Sequence, residues 1–453
     1  MLESFRQEAA EALEKLTENG YMAYLIGGSV RDYLMGCPMG DIDITTDATP
    51  DEVESVFKGY KLIETGIKHG TVTLIINGLP IEITTFRHDG DYTDNRRPDF
   101  VRFSSSLEED ISRRDFTINA IALSSSDELI DLCGGKEDID KRIIRCIGDA
   151  DRRFNEDALR ILRALRFSSV LDFDIEEECS ESIHKNKELL KNISAERTTS
   201  EIKKMILGPR AGDILLEYSD VIETIIPEIG PSVGFDQKNH HHIYDVYTHS
   251  VYALSYAQND IYTRLALLFH DIGKVATATT DERGEQHFKG HPKKGAEITD
   301  ALLQRLRFSN ADRKTIVQLV AMHDTPLYVE NRHTPSYLRI KRVLAKIGES
   351  QTRRLIEIHK CDNMAQNMNY YLGDDYYDTL YSMLDKAVES NLCLSVSNLA
   401  VDGNILKKMG YHDREIGKLL KEILKLVIDE KIENDKEKII EYIQNKKDRG
   451  QKI

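Results

Sequence analysis

Three things this sequence lacks bound what it can be. No apolar run approaches the roughly 20 residues that a membrane-spanning helix needs. The N-terminus, MLESFRQEAAEALEKLTENG, reads as an amphipathic acidic helix and lacks the basic and apolar regions of an export signal. Six cysteines stand singly, with no Cys-x-x-Cys pair, which argues for reduced thiols and against a disulfide frame or zinc knuckle. A cytoplasmic location with no membrane contact is the expectation. Excess positive charge is also missing: the formal net charge is −16. That argues against broad, non-specific nucleic-acid binding, which depends on lysine and arginine. It leaves room for a local basic groove, and positive charge concentrates in RRFNEDALRILRALRF, residues 152–167.

What is present points to several domains. At 453 residues the chain is too long for one core, and about three domains follow from its length. The first 130 residues mix short β-branched runs (YLIGG, DIDITT, TVTLII, PIEITTF) with helical pieces. Beyond residue 129 helix-period patterns dominate. The histidine-rich break GFDQKNHHHIYD (234–245) looks like the entry to a new unit. The fold class is therefore α+β: a small mixed α/β head at 1–130 followed by a long helical body.

The most informative stretch of the head is YLIGGSVRDYLMGCPMGDIDITT, residues 24–46. Asp41 and Asp43, two positions apart on a strand, point the same way. Two carboxylates on one face repel each other unless a cation sits between them, and hard oxygen ligands suit Mg²⁺. Gly27 and Gly28 form a turn opening a helix, where the backbone can approach a phosphate, and Arg31 can grip an anion. A tight turn beside an exposed edge strand is the structural alternative. Together the two halves favour nucleotidyl transfer, in which metals hold a triphosphate and activate a hydroxyl. Glu82, in PIEITTF, is the candidate third carboxylate, with a plain surface glutamate as the other reading.

SRRDFTINAIAL (112–123) carries Arg113, Arg114 and Asp115 at the start of a helical stretch with Thr117 and Asn119. They read either as a cap with a salt bridge or as contacts to triphosphate and sugar. In NEDALRILRALRF, Asp157 and Arg160 are three apart and share a helix face. An ion pair is the ordinary explanation. The chemistry also allows base selection. Cytosine and adenine both offer an exocyclic amine beside an acceptor ring nitrogen, which suits an aspartate acceptor and an arginine donor. Uracil and guanine present the reverse, and each unpaired polar group left buried costs about 1–3 kcal/mol.

These residues resemble the class II tRNA nucleotidyltransferase/poly(A) polymerase family, which includes the CCA-adding enzymes. GGSVRDYLMG with DIDITT looks like its metal-and-triphosphate motif, and RRDFTINA like its ribose-contact motif. DLCGGKEDIDKRIIRCIGDADRRF (131–154) is similar to the hinge, and EDALRILRALRF to the amino-acid template. SAERTTSEIKKMI, around Glu196, Arg197 and Glu201, looks like the neck-stabilising motif. The resemblance implies a polymerase-β-like head that adds CTP and ATP to tRNA. It makes Asp41 and Asp43 the catalytic Mg²⁺ ligands. Gly27, Gly28, Arg31, Arg114, Asp115 and Asn119 contact the nucleotide, while Asp157 and Arg160 select the base with help from Arg163. FRHDGDYTDNRRPDFVRF (86–103) looks like the family's loop for switching from C to A in its complete form. Poly(A) and A-only addition are the alternatives within the family.

The body carries a second chemistry. An adjacent His270–Asp271 pair after an apolar helix, with more histidines and aspartates far along the chain, suits a mixed nitrogen and oxygen metal site. The pieces DVYTHSVYAL, RLALLFHDIGKV, FKGHPKKGAEI, LVAMHDTP and IHKCDNMAQN resemble the HD-type metal-dependent phosphohydrolase superfamily. That resemblance implies His249, His270, Asp271 and Asp362 as core ligands of a divalent metal. His291 and His323 would complete a second position, and Lys274 would hold a phosphate. A phosphodiesterase or phosphatase acting on 2′,3′-cyclic or terminal phosphates follows. His240, His241 and His242 read as a solvated loop run, with a ligand role as the other option. The tail around Gly410 and Gly417 resembles the family's tRNA-elbow contact, although an ordinary charged hairpin fits equally. The contrasting class is a regulatory RNA- or nucleotide-binding protein whose HD site only senses a ligand.

Overall fold

The computed structural model describes residues 7–66, 70–89, 101–329, 334–390 and 392–448. Most of the 86–103 loop lies outside these residues, so its length and completeness are not addressed by the fold. The chain forms two compact units, Met1–Pro227 and Glu228–Ile453.

The N-terminal unit begins with α1 (Gln7–Glu18), whose Ala9, Ala12, Leu13 and Leu16 fall on one buried face at helical spacing. There follow β1 (Ala23–Ile26), α2 (Gly28–Leu34), β2 (Ile42–Thr46), α3 (Pro50–Val56), β3 (Lys61–Gly66), β4 (Thr71–Ile76) and β5 (Leu79–Thr85). Thr49 and Glu52 close a capping box on α3, with Pro50 at its first position. A short ribbon of β6 (Arg87–Asp89) and β7 (Val101–Phe103) precedes α4 (Leu107–Ser112), and β8 (Ala122–Ser124) and β9 (Leu129–Ile130) complete the head.

Seven of these strands form one sheet, ordered β3-β4-β5-β2-β1-β8-β9. Its β2–β5 pairing is parallel and the other pairings are antiparallel. In β4, TVTLII alternates buried and half-buried residues, the period of a strand with one face on a core. Ile26, Phe86, Leu107, Ile111 and Ala122 join one buried cluster, which places α4 against the sheet.

The neck is helical: α5 (Gly135–Lys141), α6 (Ala150–Glu156), α7 (Leu159–Leu171), α8 (Glu177–Asn186), α9 (Ala195–Ile206), α10 (Ala211–Glu217) and α11 (Ser219–Ile225). Ser169 on α7 donates to the Met205 carbonyl on α9 at 2.7 Å. This close crossing requires a glycine just beyond: a Cβ at Gly208 would lie 2.4 Å from the Ser169 carbonyl oxygen.

The C-terminal unit is built from α12 (Val246–Tyr256), α13 (Ile261–Phe269), α14 (Lys274–Thr277), α15 (His291–Arg305), α16 (Asn310–Met322), α17 (Tyr337–Ile347), α18 (Glu349–Ala365) and α19 (Asp374–Glu389). Helices α12, α13, α16 and α18 pack on one another. The tail helices α20 (Gly403–Lys408), α21 (Asp413–Ile428) and α22 (Lys436–Asp448) close a separate apolar cluster around Leu406, Leu419, Ile423 and Ile439. Arg342 on α17 meets Asp429 through two bonds of 2.7 and 2.8 Å, which ties tail to body. Among the described residues no helix is long and apolar enough to cross a membrane.

Replacing Gly208 with alanine pushes backbone against backbone. We expect a loss of about 1–3 kcal/mol, the usual range for an overpacked position, seen as an earlier urea midpoint for the N-terminal unit. An unchanged midpoint would mean that α7 and α9 part at little cost.

Candidate active sites

In the head, the register of β2 assembles the acidic site. Asp43 stands opposite Ile26 of β1 and beside Glu82 of β5. Gly27 follows β1 directly, with φ of 80°, and a Cβ there would come within 3.0 Å of Asp43 Oδ2. Glycine is therefore needed twice over, for the left-handed turn and for the approach. Asp41 does not share the strand as expected: β2 starts at Ile42, and Asp41 occupies an exposed bend ahead of it. Burial, and then the charge of Glu82, push the Asp43 carboxyl from 3.8 up to about 6, with Arg114 and Arg163 pulling the other way. A carboxylate so disfavoured in its charged state is suited to a cation, and its oxygens suit Mg²⁺.

The RRD segment ends α4 instead of opening a helix, and only one 3-10 turn, Thr117–Asn119, follows it. The segment is held by a residue that the motif reading passed over. Asp110 has no exposed surface, and its Oδ1 accepts from Arg113 Nε at 2.9 Å. Its Oδ2 accepts from Arg114 Nη2 at 2.9 Å and from the Thr45 hydroxyl of β2 at 3.0 Å. Burial opposes its charge, but Arg114 and Arg113 hold Asp110 below the usual carboxylate range. An acid three and four residues ahead of paired arginines on a helix is the sequence signal that marks it.

Asp115 is likewise buried and accepts from Arg163 Nε at 2.7 Å. Arg163 and Arg160 keep it ionised against the cost of burial. Arg31 donates to Asn119 Oδ1 at 2.7 Å, so these two expected nucleotide contacts meet. The Phe167 ring, also unanticipated, lies under three guanidinium groups: Arg166 at 4.0 Å, with Arg31 and Arg163 each at 5.3 Å from its centroid. Such cation–π contacts orient cations without neutralising them.

Asp157 and Arg160 do not form the expected pair on one continuous helix. The chain breaks between α6 and α7, and Asp157 sits in the break with extended backbone. Its Oδ2 accepts from Arg197 Nη2 at 2.8 Å and its Oδ1 from the Leu159 N–H at 3.0 Å. Arg160 instead donates to Glu156 Oε2 and to the Arg113 carbonyl, both at 2.7 Å. Neck and RRD segment are thereby joined.

The C-terminal unit holds a different centre. Four histidines each direct Nδ1 at a backbone carbonyl: His249 at Ala365 (3.3 Å), His270 at Leu267 (2.7 Å), His291 at Phe288 (2.9 Å) and His323 at Val320 (2.7 Å). A carbonyl only accepts, so each Nδ1 carries the proton and each Nε2 of a neutral ring presents a lone pair. These Nε2 atoms converge on two aspartates. His249 lies 2.8 Å from Asp362 Oδ1, and His270 3.2 Å from Asp271 Oδ2. His291 is 3.4 Å and His323 3.7 Å from Asp271 Oδ1.

The Nε2 atoms of His291 and His323 face each other at 3.0 Å, and His270 Nε2 is buried with no hydrogen bond. Converging lone pairs of this kind repel unless cations lie between them. Two trios, His249–His270–Asp271 and Asp271–His291–His323, have ligand atoms within 4.8 Å of one another, so Asp271 can bridge. Among the described residues the head offers no such trio.

Burial and the positive charge of His270 lower His323 to about 3, whereas Asp271 and Asp362 raise His270, against burial, to about 10. Lys274 is buried, with Nζ 2.6 Å from Asp271 Oδ2 and 2.8 Å from Gln237 Oε1. The histidine run is not simply solvated. His242 is driven to about 3 by burial and then by Lys274, and His241 lines the cavity over the centre.

This architecture is that of a polymerase-type head and helical neck joined to a histidine–aspartate body. Residues 23–145 match the family described as "Poly A polymerase head domain", and residues 172–231 match "Probable RNA and SrmB- binding site of polymerase A". Residues 240–366 match "HD domain". These matches lie in the head, the neck and the body in turn, each over less than half of the chain.

The CCA-adding enzyme of Geobacillus thermodenitrificans is 51% identical over 209 residues, 46% of this chain and 51% of that protein. The one from Lactobacillus helveticus is 50% identical over 204 residues, 45% and 51% of the two chains. The chain thus spans about half the length of the curated relatives it matches. The crystal structure of Bacillus stearothermophilus CCA-adding enzyme in complex with CTP is similar over 98% of both chains, with 28% identity and a TM-score of 0.74. Thermotoga maritima CCA-adding enzyme complexed with tRNA shares the fold at 20% identity and a TM-score of 0.60, over 98% of this chain and 97% of that one.

The raised Asp43 value has a stability consequence. Its folded pKa of about 6 exceeds the ordinary 3.8, so the folded state holds the proton more tightly and wild-type stability falls as pH rises from 4 through 6. In metal-free buffer, Asp43→Asn is expected to raise the melting temperature above pH 6, with the gain fading below pH 4. A gain independent of pH would separate this carboxyl's protonation from folding.

Proposed function

We propose that the chain is a template-independent CCA-adding tRNA nucleotidyltransferase, joining CTP and ATP to the tRNA 3′ end with release of pyrophosphate. The observation that carries this is the packing of the Asp43 carboxylate against the Gly27 turn, beside Glu82 and within the field of Arg114 and Arg163. Asp41 and Asp43 are the residues to hold Mg²⁺, with Glu82 beside them. Bound Mg²⁺ supplies Lewis acidity toward the triphosphate and the attacking 3′-hydroxyl. The Gly27–Gly28 turn lets the triphosphate approach the backbone. Arg31 and Arg114 offset its charge, each already oriented by Asn119 and Asp110. Asp115 and Asn119 are the residues to contact the sugar, and Asp115 accepts from Arg163 and sets its direction.

Asp157 accepts from the exocyclic amine of cytosine or adenine and Arg160 donates to the neighbouring ring nitrogen. Both side chains are fixed from outside, Asp157 by Arg197 and Arg160 by Glu156 and the Arg113 carbonyl. A rigid donor–acceptor pair rejects uracil and guanine because both of its groups would be left unpaired. We assign the head to 1–130, the nucleotide-selecting neck to 131–233, the HD domain to 234–368 and a tRNA-binding tail to 369–453. A cytoplasmic site of action accompanies this substrate.

The HD centre is proposed as a phosphohydrolase for 2′,3′-cyclic or terminal phosphates. His249, His270, Asp271 and Asp362 would hold one divalent metal, and His291 and His323 a second. A divalent metal there supplies Lewis acidity toward a phosphoryl oxygen. Lys274 adds a fixed positive charge beside Asp271.

Incubation with Mg²⁺, a tRNA lacking its 3′ CCA, and CTP with ATP is expected to extend the tRNA by CCA and then stop, as read by sequencing the products. A run of A from ATP alone would make the protein a poly(A) polymerase. One A added only to tRNA ending in CC would make it an A-adding enzyme.

Asp41→Ala should abolish extension and spare phosphate release, and His270→Ala should do the reverse. Loss of both activities from either change in a folded protein would refute two independent centres. Asp157→Ala should cut the preference for CTP and ATP over UTP and GTP by about 5- to 150-fold, the equivalent of about 1–3 kcal/mol. An unchanged preference would move base selection elsewhere.

A further inference from the structure

Three guanidinium groups gather on one buried ring. Phe167 lies on α7 and is 7% exposed, with Arg166 at 4.0 Å and Arg31 and Arg163 at 5.3 Å from its centroid. Like charges brought together repel, and each is held on its outer side by a different partner. Arg31 of α2 is paired with Asp32 at 2.6 Å and donates to Asn119 at 2.7 Å. Arg163 donates to Asp115, and Arg166 lies 2.7 Å from Glu201 of α9. Of these partners, only the ring is common to all three.

The ring itself is fixed. Phe116 meets it edge-on, with centroids 5.8 Å apart and planes at 81°. Phe116 has no exposed surface, and its N–H donates at 2.8 Å to Asp115, the carboxylate that also accepts from Arg163. Ring and carboxylate therefore hold Arg163 from two sides.

Two of the three cations border the acidic site of the head. A Cβ at Gly28 would lie 3.5 Å from Arg31 Nη2, so this guanidinium stands against the glycine turn. Arg163 is near enough to Asp43 to favour its charged form. A carboxylate in the ring's place would neutralise the cations, and an aliphatic chain would not attract them. An aromatic face attracts them and leaves their charge available to an anion.

We propose that Phe167 is a positioning residue for the phosphate chain of the incoming nucleotide, acting through Arg31 and Arg163. The proposal rests on the nucleotidyltransferase reading of the head and adds a residue that works only through the arginines on its ring. The attraction follows the negative charge of the ring face, which fluorine withdraws with little change of ring size.

The test is equilibrium dialysis of the full-length protein with CTP and Mg²⁺, without tRNA. Phe167→Leu is expected to weaken CTP about tenfold, in keeping with desolvated cation–π contacts. Phe167→fluorophenylalanine, with one, two and then three fluorines on the ring, is expected to weaken it stepwise at an unchanged melting temperature. Inorganic tripolyphosphate carries no base or sugar. Measured by competition with CTP, it should lose affinity by the same factor at each step. A flat response across the fluorinated series overturns the proposal whatever Phe167→Leu does, because a ring that only fills space is indifferent to its face charge. Tripolyphosphate binding that stays constant while CTP weakens also overturns it, since the ring would then act on base or sugar.

Extension of a tRNA lacking its 3′ CCA by the wild-type protein reports on the transferase reading separately. Extension with a flat series removes the role of Phe167 alone. No extension, with CTP and tripolyphosphate still weakening stepwise, removes the transferase reading and upholds Phe167 as the support of a polyphosphate site.

Discussion

An ionised carboxylate with no exposure is tolerable only if its charge is met by well-placed donors. Asp110 is such a group, and the acidic site of the head depends on how its charge is met. Arg113, Arg114 and Thr45 all donate to it. Thr45 is two residues along β2 from Asp43, so the alternation of the strand puts both on one face. One buried acid therefore sets the distance between the acidic strand and the arginines. The neck adds to the same frame: Arg160 grips the Arg113 carbonyl and Arg163 grips Asp115. Head and neck share one set of ion pairs.

The HD centre solves the opposite problem. In the head, arginines surround carboxylates and the charges are largely met within the protein. In the body, the Nε2 atoms of four histidines and the oxygens of two carboxylates face inward. Lys274 is close to Asp271, and a buried His270 is held protonated by Asp271 and Asp362. Backbone carbonyls fix the direction of each ring, so this convergence is built into the scaffold and does not arise from loose side chains. That convergence makes the centre a candidate metal site.

Much of this was legible in order along the chain. The β-branched run TVTLII, the Gly27 turn and the His270–Asp271 pair are local patterns, and local physics produces them. The expectations that shifted depended on where helices stop. Their spacing suggests that Asp157 and Arg160 are helix neighbours. The chain instead breaks between α6 and α7, where the distant Arg197 holds Asp157 and the nearby Glu156 holds Arg160. Acids and arginines around RRD suit a helix cap, but Asp110 lies within α4 and draws the arginines back to its end. The Asp41–Asp43 spacing suits one strand face, yet β2 begins only at Ile42.

The sequence by itself determined the fold class, the order of the motifs and the kinds of group available: hard carboxylates beside a glycine turn in the head, imidazoles with carboxylates in the body. Periodicity and residue chemistry act over a few positions and need no partner. Only the tertiary structure decided which charge meets which. Asp157 pairs with Arg197 across 40 positions, Arg31 with Asn119 across 88, and His249 with Asp362 across 113. A charge is satisfied by whatever the fold brings within about 3 Å, and separation along the chain carries no information about that. The tyrosines that line the cavity over the HD centre belong to the same category. Nothing in NMNYYLGDDYY marks those rings as lining a cavity until Asp362, one turn before the end of α18, places them over the histidine–aspartate centre.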